Sequence, residues 1–175
     1  SEMCIRDSTR TPFSIDFGVG DVIVPKQEKR KIPTQLDDFA SPTVNTYSLE
    51  TTIAEKLDAI LDLMEFSSRM KDYYDIYYLA NKFDFDGATL TKALKKTFEN
   101  RGHAFTIEQF EQVMAFAEND AMQKKWKAFC RKIDTKTDTF SKVIETINLF
   151  LAEPIKAAES TAFTAHWTAS ENEWK

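Results

Sequence analysis

The stretch SSRMKDYYDIYY, residues 67–78, places four charged side chains among aromatic residues at helical spacing. On one helix, Arg69 pairs with Asp72 at i, i+3, and Lys71 pairs with Asp75 at i, i+4. Such a ladder is usually a solvated surface feature that contributes about 0.5 kcal/mol per pair. The aromatic residues on several faces indicate instead a mostly buried helix, in which charged groups need partners or a chemical role. Spacing alone leaves both interpretations open.

Two further residues have side chains that could hold phosphate or metal. In FSIDFGVGD, strand alternation places Asp16 on the face opposite the apolar residues. A carboxylate on a rigid strand suits Mg²⁺, although a lone one is more often only solvated. Lys56 borders the apolar stripe of a predicted helix. It is either a lysine whose stem lies along the core or a phosphate contact.

The other candidates are weaker. His103 and His166 lie far apart and have no companions that would suggest a metal site. A basic cluster in residues 124–132 is typical of a solvated helix face, with RNA contact as the alternative. It comprises Lys124, Lys125, Lys127, Arg131 and Lys132. There is no Gly-Lys-Ser phosphate loop and no GxGxxG, and the two cysteines form no CxxC.

The composition is that of a soluble globular protein. The 175 residues are 42% hydrophobic and 29% charged, with a net charge of −5. This charge argues against bulk, non-specific nucleic-acid binding but not against a local basic site. No apolar run is long enough to cross a bilayer, and no signal peptide is recognisable. We therefore expect a cytoplasmic setting without a membrane partner.

These side chains must be positioned by a short strand region and a long helical one. Residues 11–24 predict a strand, a tight turn and a second strand, and residues 25–47 predict a long exposed connection with three prolines. Six helices are predicted after that, and the last is expected to stop at Pro154. Their starts are Ser48, Ser67 or Ser68, Asp84 or Asp86, Thr106, and residues 119 and 139. The tail is expected to be a loose arm whose two tryptophans dock on the body.

The first eight residues, SEMCIRDS, have no structural pattern. They match the translation of a common sequencing adapter in one reading frame. We hypothesise that residues 1–8 are a library artefact fused to a truncated gene, and they are excluded from fold reasoning. The true protein is then expected to extend upstream.

Four segments resemble one family in order and spacing: IDFGVGDVIVP, YSLETTIAEKLDAILDL, SSRMKDYYDIYYLA and LTKALKKTFENRG. They are similar to the AbiEii/AbiGii-type nucleotidyltransferase toxins of bacterial abortive-infection and toxin–antitoxin systems. The resemblance covers about residues 11–155. It implies an α+β fold with three parts: the remnant strands of a nucleotidyltransferase-type sheet and their connection at 9–47, a mostly helical domain of about six helices at 48–155, and a tail at 156–175.

The resemblance also implies an activity and roles for the charged residues. The activity is Mg²⁺-dependent transfer of a nucleotide from an NTP to an acceptor, which is tRNA for some relatives, and a cognate antitoxin is a possible partner. Asp16 matches a metal ligand, and Lys56 and Asp72 match catalytic residues. The nucleotide would be bound by Lys56, Arg69, Lys71 and Asp75. This suits the chemistry, because nucleotidyl transfer depends on cations that hold the triphosphate.

One part of the family pattern is not in this chain. The Gly-Ser turn and DxD pair, which supply two metal carboxylates, precede the strand of Asp16 in the family. We therefore expect the 175-residue chain alone to be inactive. Two other interpretations stay open: a non-catalytic helical module that binds RNA or an antitoxin, and a purely structural helical protein with a charged surface ladder.

Overall fold

The computed structural model describes residues 20, 22–34, 38–66, 69–104, 106–133, 137–160 and 163–175. Asp16, the first predicted strand and residues 1–8 fall outside these ranges. Residues 22–24, the described part of the second predicted strand, are not in a strand.

The described residues form six α-helices, as the periodicity predicts. They are α1 (Leu49–Leu63), α2 (Met70–Lys82), α3 (Gly87–Arg101), α4 (Ile107–Met114), α5 (Asp120–Ile133) and α6 (Phe140–Ser160). Short 3-10 turns follow α1 and α4. Across the described ranges, every helix is too short or too polar to span a lipid bilayer.

Several helix ends are set by local side chains, which is why the sequence predicts them well. Ser48 accepts a hydrogen bond from the Thr51 amide at the start of α1, and Asp86 caps α3 in the same way. Thr106 forms a capping box at α4. Gly102, at φ 69°, takes the left-handed conformation that ends α3. The predicted cap of α2, Ser67 or Ser68, lies outside the described residues and was wrong, because the N-cap is Arg69, whose side chain makes no capping hydrogen bond.

The core lies between α1, α2, α3 and α6, which pack against one another. The apolar stripe predicted on α1 faces it, with Ile53, Leu57 and Ile60 fully buried. Tyr73 of α2 is also buried and meets Phe140 of α6 edge to face at 5.4 Å. This packing brings α1 and α2 side by side, so that their polar edges meet next to the core.

Two short antiparallel sheets complete an α+β fold. Strands β1 (Glu28–Lys31) and β2 (Thr43–Thr46) pair as a ribbon in the region predicted as an irregular connection. That prediction was wrong about secondary structure, because EKRK has no apolar alternation that would indicate a strand. It was right about exposure, since β1 is exposed throughout and β2 is almost entirely so.

The C-terminal segment is a hairpin rather than a loose arm. Strands β4 (His166–Thr168) and β5 (Glu173–Trp174) pair with each other, and β4 also pairs with β3 (Phe85–Asp86). The predicted docking of the tryptophans is confirmed. Trp167 is buried and donates its indole N–H to the Ala80 carbonyl at 2.7 Å, in the last turn of α2 where carbonyls lack helical donors.

Pro154 does not end α6, which continues to Ser160. A proline inside a helix leaves the carbonyl four residues earlier without an amide partner. Here that carbonyl belongs to Phe150, and the indole N–H of Trp174 donates to it at 3.1 Å. The hairpin therefore supplies the hydrogen bond that the proline removes, which is why the sequence prediction failed.

We expect Trp174→Phe to destabilise the protein by about 1 kcal/mol, because it keeps the ring stacked on Phe150 but removes the donor to the helix carbonyl. Urea unfolding measures this cost. In a Pro154→Ala background the helix amide is restored, so the same substitution is expected to cost less. An equal cost in both backgrounds would show that the two residues are not coupled in this way.

Candidate functional site

Lys56 lies between two carboxylates of the neighbouring helix. Its Nζ is 3.1 Å from Asp72 Oδ1 and 2.6 Å from Asp75 Oδ2. The two acids are three residues apart on α2 and therefore flank a single position on α1. Only 19% of the Lys56 side chain is exposed, so its charge is compensated by these partners rather than by bulk water.

The charged residues at the start of α2 differ widely in exposure, so they do not form a uniform surface ladder. Arg69 Nε is 2.6 Å from Asp72 Oδ2, and Lys71 Nζ is 2.5 Å from Asp75 Oδ2. The side chains of Arg69 and Lys71 are 58% and 71% exposed, whereas that of Asp72 is 4% exposed. Asp72 is thus a buried carboxylate held between Lys56 and Arg69, and the interpretation as solvated surface decoration does not fit it.

The ammonium group of Lys56 is held in its charged form. Burial lowers the pKa of Lys56, but hydrogen bonds and charges from Asp75 and Asp72 outweigh burial, and the net pKa lies above the ordinary value of 10.5. The stabilisation that Lys56 gains from its partners is therefore complete below pH 10.5 and is lost only as the pH rises through the raised pKa. Lys56 remains a fixed cation at neutral pH.

A second charged cluster joins α1 to the end of α3. Arg101 Nη1 is 3.0 Å from Asp58 Oδ2, and Arg101 also forms an ion pair with Glu55. His103 Nδ1 is 2.8 Å from Asp58 Oδ1. Burial raises the pKa of the Asp58 carboxyl above its ordinary value, and the hydrogen bond with His103 only partly offsets that shift.

Both clusters border one open cavity of about 240 Å³. It is lined by Tyr47, Thr52, Glu55, Lys56, Ala59, Arg69, Asp72 and Arg101. The cavity therefore brings together three of the residues singled out in the sequence: Lys56, Arg69 and Asp72. Lys71 and Asp75 are ion-paired beside it but are not among its lining residues.

Residue patterns alone missed Arg101 as a member of this site. Arg101 is 43 residues from Asp58 in the chain, and no local spacing connects them. A signal was present on α1, where Glu55 and Asp58 flank Lys56 in the sequence AEKLD. Two acids around a core-edge lysine indicate that further cations must approach that face.

The described residues do not form a metal site. No group of three or more histidine, cysteine or carboxylate side chains in those ranges is placed to hold a metal ion. Asp16, the metal ligand that the resemblance implies, lies outside the described residues. The two carboxylates that line the cavity, Glu55 and Asp72, are each already paired with a cation.

Three cations and two carboxylates thus line one cavity, and each of these cations has a carboxylate partner. A family model described as "Nucleotidyl transferase AbiEii toxin, Type IV TA system" matches residues 2–158. The chain belongs to this family of nucleotidyltransferase toxins, as the four sequence segments predict. Comparison with curated proteins and comparison with solved structures give no match.

Proposed function

We propose that this chain supplies the triphosphate-binding and acceptor-facing part of an enzyme that transfers a nucleotide from an NTP to an RNA acceptor, with tRNA as the acceptor class. The observation that carries the proposal is the convergence of Lys56, Arg69 and Arg101 on one cavity around the buried Asp72. Three cations around one cavity can neutralise the phosphates of an NTP, and nucleotidyl transfer requires this neutralisation.

The carboxylates of the site hold these cations in position before the nucleotide binds. Lys56 is fixed by Asp72 and Asp75, and Arg101 is fixed by Glu55 and Asp58. Cations that are already oriented need no reorganisation when negative charge develops during the reaction. In this proposal the carboxylates therefore contribute to function by positioning the cations.

Asp72 acts on Lys56 rather than directly on the acceptor hydroxyl in this proposal. Its Oδ1 accepts a hydrogen bond from Lys56, and its Oδ2 is ion-paired with Arg69. Both oxygens are occupied by cations, so proton abstraction by Asp72 would first require one of them to move away. The arrangement therefore favours Asp72 as the residue that orients Lys56 and Arg69 toward the phosphates.

The proposal includes Mg²⁺, with Asp16 as one of its ligands. The ion would neutralise phosphate charge and orient the reacting oxygens when bound. Because the described residues offer no complete metal site, the remaining ligands are assigned to the Gly-Ser/DxD segment that precedes Asp16 in the family. We also propose a cytoplasmic setting and a cognate antitoxin as partner, both as extensions of family membership.

The first test is calorimetric titration of the four NTPs into the 175-residue chain. Arg69→Gln is expected to weaken NTP binding about tenfold, because one charge-assisted phosphate contact contributes roughly 1.5–3 kcal/mol before solvent screening reduces it at this exposed side chain. Lys96→Gln, which removes a paired lysine from α3, is the matched control and should leave affinity unchanged. Lys71→Gln is expected to have a smaller effect than Arg69→Gln, since Lys71 does not line the cavity.

The second arm of the test is radiolabelled NTP transfer to bulk tRNA with Mg²⁺. We expect no turnover by the 175-residue chain and turnover by a protein that also carries the Gly-Ser/DxD segment. Turnover by the chain itself would overturn the proposed inactivity. Absence of NTP binding by the chain would overturn the assignment of the cavity and favour a non-catalytic helical module.

A further inference from the structure

A second region of the molecule combines cations with aromatic rings, at the junction of α5 and α6. A cleft of about 580 Å³ lies there, and we term it the basic cleft. It is lined by Gln123, Trp126, Lys127, Cys130, Arg131, Thr137, Asp138, Thr139, Phe140 and Ser141. Its two cations, Lys127 and Arg131, belong to the basic cluster of residues 124–132. That cluster does not line the cavity around Lys56, Arg69 and Arg101, which we term the triphosphate cavity.

A smaller cleft of about 270 Å³ adjoins the basic cleft, and we term it the tyrosine cleft. It is lined by three tyrosines of α2 and two residues that line the basic cleft as well. These are Tyr74, Tyr77, Tyr78, Thr137 and Asp138. The segment 137–138 is therefore a common wall between a phenol-lined surface and a basic one.

This wall is fixed from both sides. The indole N–H of Trp126 donates to the Asp138 carbonyl at 2.9 Å, and the Tyr77 hydroxyl donates to the Asp138 carboxylate. Burial, together with the hydrogen bond to Asp138, raises the pKa of Tyr77 to about 12, so the phenol remains a donor at neutral pH. The one carboxylate that lines both clefts thus has a hydrogen-bond donor that holds it in the common wall.

Tyr78 presents an exposed aromatic ring on a rigid support. It is 47% exposed and stacks on Tyr74, with ring centroids 6.3 Å apart and an interplanar angle of 27°. Tyr74 packs in turn against Trp126 and Phe129 of α5. Exposed rings held in this way are the platforms on which unpaired bases stack, largely independently of sequence.

The lysine and arginine of the basic cleft have no acidic partner among the described residues. Within the described part of the chain, Lys127 and Arg131 make no ion pair, whereas Lys142 pairs with Glu145 and Lys96 pairs with Glu99. Unpaired cations beside a stacking ring match the two features that a single-stranded nucleic acid presents, namely phosphates and base faces.

The tyrosine cleft and the triphosphate cavity share α2. Asp75 and Tyr78 are three residues apart and lie on the same side of the helix. Six residues separate Asp72 from Tyr78, which corresponds to about 9 Å along the helix axis. The two sites are therefore separated by a short distance along α2, with Asp72 and Tyr78 about 120° apart around the helix.

We propose that the two clefts together bind a single-stranded RNA segment, with a base stacked on Tyr78 and the adjoining phosphates at Lys127 and Arg131. The identification of this RNA as the acceptor rests on the proposed function, whereas the binding itself does not. The two can therefore be tested separately on the 175-residue chain.

Fluorescence anisotropy with a labelled single-stranded RNA oligonucleotide tests the stacking contact. Tyr78→Ala is expected to weaken binding about tenfold or more, whereas Tyr78→Phe, which keeps the ring, should stay within about twofold. Equal losses in both variants would overturn the stacking role. Blunt duplex RNA should bind much more weakly than the single strand, because its bases are not free to stack, and equal binding of both would also overturn it.

The salt dependence of the same binding tests the phosphate contacts. The double variant Lys127→Ala/Arg131→Ala is expected to flatten the slope of log affinity against log salt by about 1.4, or roughly 0.7 for each lost phosphate contact. Lys95→Ala/Lys96→Ala removes the same charge from α3 and should leave the slope unchanged. A similar change in both double variants would overturn the assignment of these contacts to the basic cleft.

Failure of this inference and failure of the proposed function give different results. Lys56→Gln is expected to lose NTP affinity and to retain RNA affinity. An unmodified chain that binds NTPs but no RNA overturns the clefts as an RNA site. RNA binding without NTP binding overturns the proposed function and leaves the RNA site standing.

Discussion

Asp72→Ala is expected to lower kcat/KM for nucleotide transfer by about 10²-fold or more in a protein that carries the complete metal site. Loss of one preorganised electrostatic contact typically costs 10²–10³-fold, and Asp72 orients both Lys56 and Arg69 at the cavity. The chain is expected to remain folded, because Lys56 keeps Asp75 as a partner at 2.6 Å and Arg69 is largely solvated. Initial transfer rates and urea unfolding together check both statements.

Asp75 provides the matched control for this prediction. It lies one turn further along α2 and also contacts Lys56, but it does not line the cavity. Asp75→Ala is therefore expected to reduce kcat/KM by less than about tenfold, since one cation–carboxylate contact of Lys56 remains. If the two variants lose activity equally, Asp72 has no special role, and if Asp72→Ala simply unfolds the protein, its role is structural.

What the sequence predicts well in this protein is local. Ser48, Asp86 and Thr106 cap helices through bonds to amides three residues away, and the stripe of α1 is set by helical periodicity. The i, i+3 and i, i+4 pairs of α2 follow from helix geometry in the same way. The family resemblance then added the one non-local element that spacing could not supply, which is that Lys56 belongs with Asp72.

What the sequence does not predict depends on partners distant in the chain. The passage of α6 through Pro154 requires a donor from Trp174, and the β1–β2 ribbon is set by backbone pairing without an apolar pattern. Arg101 lines the cavity because α3 packs against α1, and no short-range pattern reports that packing. In each case the missing information is a contact between elements rather than a preference of one element.

Asp58→Ala is expected to destabilise the protein by about 2 kcal/mol and to weaken NTP binding about tenfold. Only 1% of the Asp58 side chain is exposed, and it accepts hydrogen bonds from Arg101 and His103. Breaking a fully buried pair costs about 3–5 kcal/mol. The expected figure is smaller because Arg101 is partly hydrated and the carboxylate itself is costly to bury. The loss of NTP affinity follows because Arg101, which lines the cavity, keeps only Glu55 to position it there.

Asp62→Ala is the control for Asp58→Ala, because it removes an exposed carboxylate instead of a buried one. It lies one turn beyond Asp58 on α1, approaches the other nitrogen of His103 at 3.9 Å, and is 57% exposed. Asp62→Ala is therefore expected to change the free energy of unfolding by no more than about 0.5 kcal/mol and to leave NTP affinity unaltered. The Asp58→Ala variant is also tested in a stabilised background. If NTP affinity is restored there, Asp58 only supports the fold. Loss that persists in a stably folded variant means that Asp58 acts through the placement of Arg101.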